Sequence, residues 1–230
     1  MRKIQTLAML AIGFSTAMAF GTTYSSIQKM SGWQSCTGCA GGAGTASFSM
    51  TRFINPPSLD GASAQFNLGG STAYSNALWW KQLGGNSSAH NFTYDVYFYL
   101  KTPSYGQALE FDVNQSVNGK KYIFGTECDI KDLHVWRIYD SYHRQWVPTS
   151  VGCSAPSAYT WHHLTLEFQR TSGGQASFIS VTLDGAKHYF NKVFSPQGSS
   201  VSEINVAFQM DGDKYQHHYS TWLDKVSLTY

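Results

Sequence analysis

The sequence predicts an all-β fold, a two-sheet antiparallel β-sandwich of the jelly-roll kind, built as one domain over residues 20–230. Three observations carry this. Short runs of alternating apolar and polar residues recur along the chain, and no helix-period segment follows the first twenty residues. Asn118-Gly119 and Asp184-Gly185 each separate two such runs, and these dipeptides supply the two positive-φ residues of a two-residue hairpin turn. Aromatic residues make up 15% of the chain and charged ones only 13%, a balance that fits pleated, half-buried surfaces.

The N-terminus reads as an export signal over residues 1–19. Arg2 and Lys3 precede an apolar run from Leu7 to Phe14, and Ala17-Met18-Ala19 has the small-x-small pattern of a cleavage site. The run is too short to span a bilayer, so the mature chain is expected to be secreted or periplasmic, of bacterial type, with no transmembrane segment. Loss of Arg2 and Lys3 reduces 16 basic residues to 14, matching the 14 acids. A formally neutral chain argues against a nucleic-acid partner, which requires a surplus of Lys and Arg.

Residues 20–45 read as an entry segment ending in a glycine-rich run. Strands are expected near 50–55, 65–68 and 77–82, the last carrying Trp79 and Trp80. From 91 to 101, Phe92, Tyr94, Val96, Phe98 and Leu100 form one face, and Thr93, Asp95, Tyr97 and Tyr99 the other. Further strands follow at 133–140, 144–150 and 161–168, then a hairpin around Asp184-Gly185. The run 204–211 precedes a final strand over 222–230. Four cysteines in an exported chain favour disulfides, and Cys36 with Cys39 and Cys128 with Cys153 is the most economical pairing, each closing a local segment. A redox role for Cys36-Thr37-Gly38-Cys39 lacks the βαβ pattern that would surround it.

The hairpin over 107–129 is the chemically richest stretch. If Asn118-Gly119 forms its turn, paired positions sum to 237 and Glu110 lies opposite Glu127. One face then carries Glu110, Asp112 and Asn114 opposite Glu127, Gly125 and Ile123. Leu109, Phe111 and Val113 turn the other way. Like charges facing each other across a ladder destabilise it, so the pair calls either for a neutralising Lys120, Lys121 or Arg137 or for a site.

The strand ALEFDVNQ, the tryptophan opening YTWHHLTLEF, the hairpin ISVTLDGAKHYF and the terminal strand WLDKVSLTY together resemble the concanavalin A-like lectin and glucanase superfamily. The run Glu110-Phe111-Asp112-Val113-Asn114-Gln115 is similar to the Glu-x-Asp-x-x-Glu motif of family 16 glycoside hydrolases. That resemblance implies Glu110 as nucleophile and Asp112 as its electrostatic partner. The acid/base position falls on Gln115, or on Asn114 in the shorter form of the motif, and an amide can neither protonate a leaving group nor activate water. Register places Glu127 where it could substitute, at the separation a retaining glycosidase needs.

The expectation is therefore an exported lectin-like protein that binds a polysaccharide or oligosaccharide on the concave face of the sandwich. Glu110, Asp112, Asn114, Gln115 and Gln209 would take sugar hydroxyls, and Tyr97, Trp136 and Trp146, with Trp79 and Trp80, are candidate stacking platforms. A retaining glycoside hydrolase of endo-glucanase type, with Glu110 as nucleophile and Glu127 as acid/base, is the alternative. A structural envelope role without a glycan is a second one. No cofactor is expected beyond a structural Ca²⁺ that Asp211-Gly212-Asp213 could hold, though two acids in a turn are more often plain turn chemistry. The His162-His163 and His217-His218 pairs are read as structural, because neighbours on a strand point to opposite faces.

Overall fold

The computed structural model describes residues 21–230, so the export signal and its cleavage site near Ala19 lie outside the described residues. In chain order the strands are β1 (Thr23–Tyr24), β2 (Trp33–Thr37), β3 (Ser47–Ile54), β4 (Ser63–Gly69), β5 (Asn76–Gln82), β6 (Asn91–Leu100), β7 (Gly106–Val117) and β8 (Lys120–Asp129). They continue with β9 (Val135–Asp140), β10 (Gln145–Gly152), β11 (Thr160–Arg170), β12 (Ala176–Leu183), β13 (Ala186–Phe194), β14 (Gln197–Gly198), β15 (Glu203–Gly212) and β16 (Tyr219–Thr229). Two antiparallel sheets of eight strands result. One runs β13-β12-β11-β6-β16-β4-β3 with β1 on β16, and the other runs β10-β9-β8-β7-β15-β5-β2 with β14 on β8. No helix among the described residues is long and apolar enough to cross a membrane.

The alternation read from the sequence decides which side chains meet between the sheets. Phe66 of β4 packs edge-on to Phe208 of β15 at 5.0 Å, Phe98 of β6 meets Phe111 of β7 at 5.4 Å, and Phe124 of β8 stacks with Phe168 of β11 at 5.2 Å. These fully or almost fully buried rings join the two sheets through one continuous core.

The β7–β8 hairpin has the expected register. Asn118 and Gly119 take φ of 51° and 76°, and Val117 pairs with Lys120, Asp112 with Gly125 and Glu110 with Glu127. Asp184 and Gly185 turn the β12–β13 hairpin in the same way. Within the entry segment the structure departs from expectation. Trp33–Thr37 is a strand that extends the second sheet beyond β5, and Gln28 is buried, donating to Asp224 and accepting from the Val226 amide. The run WQSCT has little apolar alternation, so only its long-range partner β5 makes it a strand.

Both disulfides pair as read, Cys36 with Cys39 and Cys128 with Cys153. Their loops differ, with sequence separations of 3 and 25. Loop closure then assigns the longer one about 3.5 kcal/mol and the shorter one about half that. Replacing Cys128 and Cys153 by Ala is expected to lower the midpoint of thermal unfolding by roughly 7–14 °C, about twice the loss for Cys36 and Cys39, read by calorimetry without reductant. Equal losses would contradict the loop-length account.

Candidate functional site

The outward face of the second sheet gathers the polar residues of five strands into rows. In one row Trp80 of β5 pairs with Ala207 of β15, Ala207 with Asp112 of β7, and Asp112 with Gly125 of β8. Beside Gly125 stands Tyr139 of β9, whose Cβ lies 2.9 Å from where a Cβ on that glycine would be, and Trp146 of β10 pairs with Tyr139. The Trp146 ring leans over the same glycine, its nearest carbon 3.5 Å from that position. Small residues therefore flank Asp112 on a floor bounded by Trp80 on one side and by Tyr139 and Trp146 on the other. Four strand spacings separate Trp80 from Tyr139, about 19 Å.

The adjacent row is charged. Leu78 pairs with Gln209, Gln209 with Glu110, Glu110 with Glu127, and Glu127 with Arg137. Arg137 Nη2 donates to Glu127 Oε1, and its Nε lies 3.7 Å from Asp129. Gln209 Nε2 donates to Glu110 Oε1 and, at 3.0 Å, to Asp211 Oδ1. One oxygen from each of Glu110, Glu127 and Asp211 lies within 4.8 Å of the others. Exposure is low at three of the carboxylates, 6% for Glu110, 1% for Glu127 and 8% for Asp112, while Asp211 is half-buried.

Burial dominates the electrostatics here. It pushes Glu110 well above the usual carboxylate range, with Asp211, Asp112 and Glu127 adding like-charge repulsion. Asp112 is raised chiefly by burial, against the hydrogen bond its Oδ1 accepts from the Thr126 amide at 3.2 Å. Glu127 also rises through burial and the nearby Asp211, but Arg137 opposes the shift there.

The remaining expected site residues are scattered. Asn114 stays on this face, half-buried, and donates to Asn205 at 3.0 Å. Gln209 belongs to the carboxylate cluster, 1% exposed. Trp136 is a correction: it pairs with Cys128, faces the core and is buried, so it is no platform. Trp79 is likewise a core ring, packed against Phe66 at 5.2 Å. Gln115 points inward as well, its Nε2 donating to the Asn86 and Ala89 carbonyls at 3.0 Å each, which pins the chain before β6. Tyr97 lies in the other sheet, stacked on His163 at 4.2 Å, and cannot share a ligand with Glu110.

Asp211 and Asp213 do not converge on one ion. Asp213 accepts from the Tyr215 and His217 amides, the His217 ring and Lys131, while Asp211 joins the Gln209 cluster. His162, His163 and His217 each bond a carboxylate, of Asp184, Asp95 and Asp213 respectively. Tyr139, Ala207 and Leu78 were missed by sequence reasoning. Period-two alternation in β9 separates Arg137 and Tyr139 from Trp136 and Ile138, and could have found Tyr139 once Trp136 was tied to Cys128.

No protein-family model matches the chain, and no curated protein matches it in sequence. Among solved structures, one described as the carbohydrate esterase of the Shiga toxin-encoding bacteriophage phi24B is 13% identical, covering 91% of this chain and 98% of that one with a TM-score of 0.50. A structure concerning carbohydrate-binding modules of the β-sandwich superfamily is 8% identical over 86% of this chain with a TM-score of 0.48, and this chain spans only 57% of its length. Peanut lectin is 12% identical, covering 87% and 98% of the two chains with a TM-score of 0.41. At such identities the likeness is one of fold alone, a two-sheet antiparallel β-sandwich.

Proposed function

We propose that this chain is an exported carbohydrate-binding protein that lays a polysaccharide across the outward face of the β7–β8 sheet. The observation that carries the reading is the row Trp80, Ala207, Asp112, Gly125, Tyr139 with Trp146 beside it. Small floor residues leave room for a sugar ring, the aromatic walls offer π-faces to its C–H bonds, and Asp112 and Asn114 are placed to take hydroxyls. The neighbouring carboxylates are engaged internally by Gln209 and Arg137, which suits a scaffold better than a reacting centre.

A second reading rests on the opposed pair. Glu110 is pushed up by burial while Arg137 restrains the rise at Glu127, the asymmetry a retaining glycosidase uses between its acid and its nucleophile. The roles are then the reverse of those the family resemblance implies, with Glu110 as acid and Glu127 as nucleophile. The partners that already occupy Oε1 of each carboxyl group, Gln209 on Glu110 and Arg137 on Glu127, rank this reading second.

The deciding experiment incubates purified protein with soluble and insoluble polysaccharides and follows both retention and new reducing ends. Retention without new ends is expected. New ends that vanish in both Glu110→Gln and Glu127→Gln would establish the pair as catalytic and overturn the binding reading. In affinity gels or calorimetry, Trp80→Ala and Trp146→Ala should each weaken binding roughly tenfold or more with folding intact, as for buried aromatic anchors elsewhere. Gly125→Val should both fill the floor and displace Tyr139, at a stability cost of about 1–3 kcal/mol measured by denaturant unfolding.

A further inference from the structure

We propose that the outward face of the other sheet, the one built on β6 and β16, carries a second sugar-binding surface for a neutral glycan, formed by Tyr99 and Trp161 with a polar hollow over β3, β4 and β16. It shares the ligand class of the β7–β8 face and none of its residues. Strand alternation lays the face out in two adjacent rows. In one, Ser49 of β3 pairs with Asn67 of β4, and Asn67 with Ser220 of β16. In the other, Thr51 pairs with Gln65, Gln65 with Trp222, Trp222 with Tyr99 of β6, and Tyr99 with Trp161 of β11.

Tyr99 and Trp161 are half-buried rings with centroids 5.4 Å apart, and Tyr159, 68% exposed, stands edge-on to Tyr99 at 6.5 Å. Trp222 braces Tyr99 from the other side, nearly perpendicular to it at 5.6 Å. Beside these rings lies a cavity of about 270 Å³ lined by Ser47, Ser49, Asn67, His218 and Ser220. Ser220 is the diagonal neighbour of Tyr99 across the β16–β6 ladder, so hollow and rings are roughly 7–8 Å apart. Glycine at 69 shapes the hollow, because the His218 ring lies where a Cβ on that residue would be.

The composition of the face selects the ligand. Neither row contains a charged or a purely aliphatic side chain. The next row is charged, but its carboxylates are engaged, Asp95 by His163 and Thr165, and Asp224 by Gln28, Ser58 and the Leu59 amide. A charged partner would find no counter-charge in the two rows, and a hydrophobic one would leave amides and hydroxyls unpaired. A neutral sugar offers C–H faces to the rings and hydroxyls to the polar groups. Asn67 Nδ2 donates to Ser49 at 3.0 Å, and its Oδ1 accepts from Ser220 at 2.6 Å and Gln65 at 2.8 Å. That network leaves the Gln65 oxygen and the Ser49 hydroxyl proton for a ligand. The independent observation is Trp222, 5% exposed, whose indole N–H is buried without an acceptor beneath the Lys101 ammonium group, 5.1 Å from the ring centroid. Buried donors are rarely left unpaired, and a sugar hydroxyl between the hollow and Tyr99 is the kind of acceptor this one lacks. The two faces look in opposite directions, so a molecule occupied on both joins two glycan chains.

The test separates the faces. Trp80→Ala/Trp146→Ala protein, altered only on the β7–β8 face, is titrated by calorimetry with soluble neutral glucan, galactan and mannan oligosaccharides alongside the unaltered chain. Residual binding is expected, weakened roughly tenfold or more by adding Trp161→Ala or Asn67→Ala and retained with Trp161→Phe, which keeps a ring. In the unaltered chain, hydroxyl-radical footprinting read by mass spectrometry should show Tyr159 and Trp161 protected by the bound oligosaccharide. No protection of either residue at saturation would overturn the proposal without any variant having to fold. Loss of all binding in Trp80→Ala/Trp146→Ala, with the unaltered chain still binding, would overturn it and leave the β7–β8 face standing. Undiminished affinity in that variant, lost on adding Trp161→Ala, would establish this surface and overturn the other. An unaltered chain that binds none of the three glycans would overturn both.

Discussion

The register of the β7–β8 hairpin is the constraint on which the site depends. Two residues with positive φ close the turn, and from there every side chain has its face assigned. A slip of one residue would turn Glu127 towards the core and Cys128 towards solvent, away from Cys153. The disulfide, the core rings Phe111 and Phe124 and the carboxylate row therefore enforce the same pairing from different directions. Such agreement between local turn chemistry and long-range contacts marks a chain that specifies a single arrangement.

That register has a cost. Glu110 and Glu127 face each other on neighbouring strands, and most of their solvation is lost. Arg137 and Gln209 each engage one member, so the pair is held apart electrostatically by two different partners. Removing Arg137 leaves Glu127 buried without its counter-charge, a larger penalty than the loss of an ordinary surface ion pair. The row is thus held together internally, and the aromatic walls stand in the row beside it.

Much of this was readable from alternation alone. The strands from β6 onward except the two-residue β14, both two-residue turns, the pairing of Glu110 with Glu127 and the two disulfides follow from period two, from Asn-Gly and Asp-Gly, and from cysteine spacing. The choice among aromatics was not readable, because it depends on which face of each strand the partner sheet covers. Trp79 and Trp80 are neighbours, yet one is core and the other wall; Trp136 and Tyr139 divide in the same way. Tyr97 has the right chemistry in the wrong sheet. Gln115 defied its residue type, since a buried amide is acceptable where two backbone carbonyls await a donor. Strand β2 was invisible because its only qualification is the free edge of β5 beside it.

The two ends of the described chain meet. Thr22 and Tyr230 exchange backbone hydrogen bonds of 2.7 and 2.9 Å, and β1 lies along β16 in the sheet that does not carry the site. Any linker, surface or label joined at either end would therefore depart from one place, on the opposite layer of the sandwich. Tethered in that way, the molecule turns its aromatic walls away from the attachment point, and their orientation is decided by where the chain is fastened.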